Sequence, residues 1–232
     1  MTVPGRPRWT SVQIAWVKGL ECNVSSPGFK RVMHERRQFR YQPFYCEENA
    51  WWLCGEPTLA AGGEGEPGGG RQVLFVSNRI GRCPFACQRA APPGRLLSWD
   101  YHCVVLDEAA RIWDPDTRLG MPLPARDWLQ QTFPFIRLLG PALAPKFRLV
   151  PADDYRRHFG SDRRHMRTRD GGWHHPPPPW PPIGNSHTLP QYLQPPPDGP
   201  GTCLDWHGLM RWLEPELPAK PSPKPPVGAA AR

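Results

Sequence analysis

Cys46, His102 and Asp114 have the types and the chain order of a nucleophilic apparatus. The thiol would attack a carbonyl carbon, the imidazole would take and return the proton, and the carboxylate would fix the ring's tautomer and stabilise its charged form. Three such residues occur by chance in most chains of this size, so their placement carries the argument. Cys46 opens Tyr45-Cys-Glu-Glu-Asn-Ala-Trp-Trp-Leu-Cys54, which reads as a helix with apolar Ala50, Trp51 and Leu53. Glu47 and Glu48 fall in its first turn, where acids complement the helix dipole. A cysteine at a helix head sits among unpaired backbone N–H groups and partial positive charge, both of which favour thiolate. The same N–H groups are natural oxyanion donors. His102 and Asp114 fall in Trp99 to Leu106 and Arg111 to Thr117, which read as a β-hairpin with a loop centred near Glu108. That register sets His102 directly opposite Asp114, at a Cβ separation of about 4.5–5.5 Å. In any register of this parity the even-numbered positions share one face. Pro115 cannot donate to a ladder and should end the second strand.

The elements that must hold these groups follow from the rest of the chain. Arg71 to Ser77 and Lys146 to Val150 read as strands, the first in a central sheet. Pro151 to Phe159 reads as a helix with acids early and bases late, and Leu204 to Leu213 as a closing helix. Residues 79–98 are turn-rich. Gly55 to Gly70 reads as a flexible loop, and Pro176 to Pro182 and Pro195 to Pro200 as extended connectors. The basic, histidine-rich neighbourhood of Ser161-Asp-Arg-Arg-His-Met166 reads as a solvated loop.

At 232 residues the chain accommodates one good-sized domain with tails. The net charge of +8 lies at the ends: residues 1–40 hold eight basic side chains against two acidic, and residues 215–232 hold three against one. A neutral body with basic ends argues against a surface built to track phosphates, so no specific nucleic acid is expected. The seven cysteines lack the even spacing of a secreted disulfide framework. Val12 to Val17 is too short and broken for a signal peptide or a membrane span. Cytosol fits best, with nucleus open; the Arg-rich, acid-poor residues 1–40 also leave an organelle presequence open. Cys83 and Cys87 could bind zinc, but no second pair at ligand spacing follows, so no metal is expected. Two non-catalytic alternatives are a zinc-stabilised binding protein and an adaptor docking through its proline runs.

Six separate motifs stand in order along the chain: Tyr45-Cys-Glu-Glu-Asn49, Trp99-Asp-Tyr-His102, Asp114-Pro-Asp-Thr117, Lys146-Phe-Arg148, Ser161 to Met166, and Pro176 to Pro179 followed by an aromatic. Together they resemble those of the protein N-terminal glutamine amidohydrolases. The likeness runs from about Tyr41 to Leu213. It implies a catalytic domain over 41–213; the basic arm at 1–40 and the proline-rich tail at 214–232 lie outside the likeness. It also implies a monomeric α/β (α+β) fold with a mostly antiparallel central sheet and flanking helices, related to transglutaminases and papain-like cysteine hydrolases. The implied site needs no cofactor: Cys46 is the nucleophile, His102 the base and Asp114 the orienting acid. The implied reaction hydrolyses the side-chain amide of a protein's N-terminal glutamine to glutamate through a thioester, releasing ammonia and feeding an N-degron pathway. Reading a free α-amine calls for a buried carboxylate or a cluster of carbonyls, and Glu47, Glu48 and Asp116 are the candidate carboxylates. Cys103 departs from the family pattern, following the histidine where an aliphatic residue is usual.

Overall fold

A computed structural model describes residues 38–59 and 70–214. Its centre is a six-stranded antiparallel sheet in the order β6-β5-β4-β1-β7-β8. The strands are β1 (Gln72–Ser77), β4 (Tyr101–Leu106), β5 (Arg111–Trp113), β6 (Leu123–Pro124), β7 (Lys146–Pro151) and β8 (Thr202–Leu204). A small separate pair, β2 (Cys83–Phe85) and β3 (Leu97–Trp99), lies in the turn-rich region and takes Trp99 out of the expected first hairpin strand. The helices are α1 (Cys46–Cys54), α2 (Ala125–Thr132), α3 (Ala152–His158), α4 (Leu189–Tyr192) and α5 (Trp206–Trp212). Among the described residues no helix is long and apolar enough to cross a membrane.

The period of two in β1 and β4 splits the core into two layers. Val73, Phe75, Tyr101, Cys103 and Val105 face Ala50 and Leu53 of α1 and Tyr155 of α3. Leu74, Val76, Val104 and Leu106 face the other way, with Trp128 and Leu129 of α2, Leu209 of α5 and Phe85 of β2. Both faces are apolar because both are covered, as a six-stranded sheet with helices on each side requires. Helix α2 was not anticipated, although Ala125, Trp128, Leu129 and Thr132 follow the i, i+3, i+4, i+7 spacing of a buried face.

Two expected loops prove to be anchored. Pro57–Leu59 forms a 3-10 turn that buries Leu59, so the glycine-rich segment begins inside the folded body; its residues 60–69 lie outside the described ones. Pro195 to Pro200 is a turn rather than an extended connector. The buried Arg148 guanidinium donates to the carbonyls of Gln194, Asp198 and Pro200 at 2.6–2.8 Å and gathers the segment against β7. The body also starts earlier than Tyr41. Phe39 packs edge-on against Trp113, and the Arg40 guanidinium lies 3.7 Å above the Trp52 ring.

Candidate active site

Cys46 is the first residue of α1, and the turn before it is held by side-chain bonding. Asn49 Oδ1 accepts from the Gln42 N–H at 2.9 Å while Asn49 Nδ2 donates to the Gln42 carbonyl at 2.8 Å. Within that turn Phe44 takes φ +70°, a left-handed conformation that non-glycine residues adopt uncommonly and that needs surroundings to hold it. Its ring is stacked on His175 at 3.5 Å and meets Trp99 edge-on at 5.8 Å. No side chain caps the head of α1. A small pocket opens there, lined by Phe44, Cys46, Trp99, Tyr101, His102 and Asp116.

The hairpin exists, with its register two residues away from the expected one. Val105 pairs with Trp113 and Leu106 with Ile112, centring the loop on Ala109 rather than Glu108. The cause is local. Asp107 Oδ1 accepts from the N–H groups of Ala109 and Arg111, and Ala110 takes φ +54°, the left-handed third position of a three-residue hairpin loop. His102 therefore does not lie opposite Asp114. The second strand ends at Trp113, before Pro115, and Asp114 begins a turn in which its Oδ1 accepts from the Asp116 N–H at 3.0 Å. Parity still brings the side chains together: His102 Nε2 is 3.0 Å from Asp114 Oδ1. Trp128 Nε1 donates to Asp114 Oδ2 at 3.0 Å, a partner supplied by the unanticipated α2. With Nε2 held by Asp114, Nδ1 is the ring nitrogen left for the Cys46 thiol, with which His102 interacts.

All three groups are buried, and their ionisation follows from that. The thiolate expected of a helix-head cysteine is not the resting form: burial pushes the Cys46 thiol well up, Cys103 and Glu47 add to the shift and His102 opposes it. Burial pulls His102 down, but the charge and hydrogen bond of Asp114, with Cys46 beside it, outweigh burial and hold the imidazole well above its ordinary range. Burial would raise Asp114, yet the His102 charge and the bonds from His102, Trp128 and the Asp116 N–H keep it below the usual carboxylate range. The ligand-type atoms of His102, Asp114 and Asp116 lie within 4.8 Å of one another, close enough to hold a cation. Both Asp114 oxygens are already hydrogen-bonded, so the set reads as proton-handling apparatus. Cys83 is a buried free thiol, and among the described residues Cys83 and Cys87 join no group of three ligand-type side chains.

The three candidate amine-binding acids sit in different places. Asp116 lines the pocket, its Oδ1 accepting from Tyr41 Oη at 2.5 Å. Glu48 faces away: Arg163 grips both its oxygens at 2.7 Å, and Trp180 Nε1 donates to Oε2 at 2.8 Å. Glu47 is buried next to Cys46, bonded by Tyr101 Oη at 3.0 Å and paired with His165 Nε2 at 3.1 Å. Neither acid is a solvated dipole partner of the helix. The segment Ser161 to Met166 is accordingly not a solvated loop, since Ser161, Arg163 and Met166 are buried and the His165 side chain is 3% exposed. Two buried carboxylates in one turn demand counter-groups, and the basic motif in this segment was the signal for where they come from. Pro176 to Pro179 is part of the same body. The Pro176 carbonyl accepts from Gln42 Nε2 and the Pro178 carbonyl from Arg163.

The family model of the N-terminal glutamine amidases matches residues 41–211. The protein N-terminal glutamine amidohydrolase of Arabidopsis thaliana is 34% identical over 174 residues, covering 70% of this chain and 78% of that one. Those of Drosophila grimshawi (36% over 161 residues; 66% and 77%) and Homo sapiens (35% over 145 residues; 61% and 69%) are similarly related.

Proposed function

The chain belongs to the N-terminal glutamine amidase family, and from that premise we propose that it deamidates N-terminal glutamine with Cys46, His102 and Asp114 as its catalytic residues. The observation that carries the reading is the His102–Asp114 bond at 3.0 Å, with His102 sharing one pocket with a helix-head cysteine. His102 Nδ1 takes the Cys46 proton as Sγ attacks the side-chain amide carbon. The uncapped N–H groups at the head of α1 receive the developing oxyanion. His102 then hands its proton to the leaving nitrogen, ammonia departs, and a thioester remains. Water, deprotonated by the same imidazole, attacks the thioester and frees N-terminal glutamate and the thiol.

The restriction to a first residue is assigned to Asp116, whose carboxylate shares the pocket with Sγ and suits an α-ammonium group. The product is a residue open to arginylation in an N-degron pathway. The enzyme is assigned to the cytosol or nucleus as a cofactor-free monomer. The test is ammonia release from a short peptide beginning with glutamine, beside an N-acetylated peptide, an internal glutamine and the Cys46→Ala variant. Turnover confined to the free N-terminal glutamine and lost in the variant supports the reading; equal turnover of the acetylated peptide, or an active variant, refutes it.

A further inference from the structure

Two histidine–carboxylate pairs flank the thiol, and the reaction above uses only one. The second is His165–Glu47, with Nε2 to Oε1 at 3.1 Å and both side chains buried. Glu47 lies outside the pocket lining and is wholly shielded from solvent, so an incoming substrate does not meet it. Its Oε2 accepts from Tyr101 Oη at 3.0 Å and receives the Cys46 S–H at 3.7 Å. Its own carbonyl accepts from Tyr155 Oη at 3.0 Å, fixing the residue from the α3 side as well.

We propose that Glu47, held by His165 and Tyr101, is a positioning residue that keeps the resting Cys46 protonated and oriented behind the pocket until His102 takes the proton. The idea rests on Cys46 being the nucleophile. A carboxylate beside a sulfur in a buried site opposes a second negative charge there, and it offers the S–H an acceptor other than His102. A thiol kept protonated is a poor target for stray electrophiles and oxidants, since thiolate is the reactive form. The other titratable groups near the thiol are His102, Cys103 and Tyr101 from β4 and Asp116 from the turn after β5; Tyr45, Asp100 and Tyr155 interact with the Glu47 charge. Burial with Glu47 and Cys46 beside it pushes the Tyr101 phenol well up, so it stays a donor to Glu47 across the working range.

The test is the pH dependence of Cys46 alkylation by iodoacetamide, followed on the Cys46 peptide by mass spectrometry. It needs no turnover, so its failure is distinct from failure of the amidase reading, which would appear as full activity in Cys46→Ala. Glu47→Gln keeps the shape and removes the charge, and the alkylation midpoint falls by about one pH unit or more. Tyr101→Phe leaves the Glu47 charge with one donor fewer and moves the midpoint up. Glu48→Gln alters an equally buried acid of the same turn that faces away, and the midpoint stays put. An unchanged or raised midpoint in Glu47→Gln overturns the proposal. If that variant does not fold, an unchanged or lowered midpoint in Tyr101→Phe does so. A fall in Glu48→Gln equal to that in Glu47→Gln also overturns it, since the effect would then be general to the turn.

Discussion

Two carboxylate-centred networks grow from one turn of α1, and they are built on different chemistry. Glu48 meets a full guanidinium charge in a two-pronged grip, closed by an indole N–H and by the carbonyls that Arg163 gathers from Pro178, Trp180 and Pro181. That network ties the 161–166 segment and the proline run to the helix, and none of its members lines the pocket. Glu47 and, across the thiol, Asp114 meet imidazoles, a phenol and an indole, groups whose protons can shift or whose hydrogen bonds are directional. Neighbouring residues of identical type thus sit in different chemistry: one network is closed by a fixed guanidinium charge, the other by groups whose protons can shift.

Variants can break that division. Cys46→Ala removes the proposed nucleophile; turnover of a glutamine-initiated peptide falls by at least about 10³-fold with the fold intact by circular dichroism. Asp114→Asn leaves the site's shape but presents the wrong partner to His102 Nε2, and kcat falls by roughly 10²- to 10⁴-fold. Arg163→Leu strands a buried Glu48 charge and costs about 3–5 kcal/mol in denaturant unfolding; if it instead lowered kcat without lowering stability, the clamp would belong to the site. Asp116→Asn raises KM for the free-amine peptide by about 10- to 100-fold, the loss expected for one charge-assisted bond, and narrows discrimination against the acetylated peptide. The pH profile gives the mildest test. Cys46 and His102 both retain protons above their ordinary values, and attack requires that the pair lose one. Activity therefore rises with pH on the alkaline side of neutrality, by no more than about tenfold per unit.

The hairpin shows what the sequence can and cannot convey. Alternation alone placed His102 and Asp114 on one face, and that parity survived a two-residue error in register because a shift of two preserves it. The register depended on the Asp107 side chain bonding back to its own loop, a choice that alternation does not encode. The head of α1 and the strands at β1 and β7 were likewise visible as short periodic runs. The partners of Glu47 and Glu48 were not, because Arg163 and His165 lie more than a hundred residues away and their burial depends on how the chain returns across α1. Trp128 illustrates a different miss. Its helix carried the right spacing, but nothing local said that one indole would point at Asp114.

The Tyr155 hydroxyl bonded to the Glu47 carbonyl, and the Arg71 guanidinium bonded to the carbonyls of Cys54 and Glu56, fasten α1 near both ends to other parts of the fold. A helix fastened in this way has no low-lying route to fray by itself. Amide hydrogens from Ala50 to Cys54 should exchange with deuterium only as fast as the whole domain opens, so that mild heating silences the enzyme in one step with global unfolding.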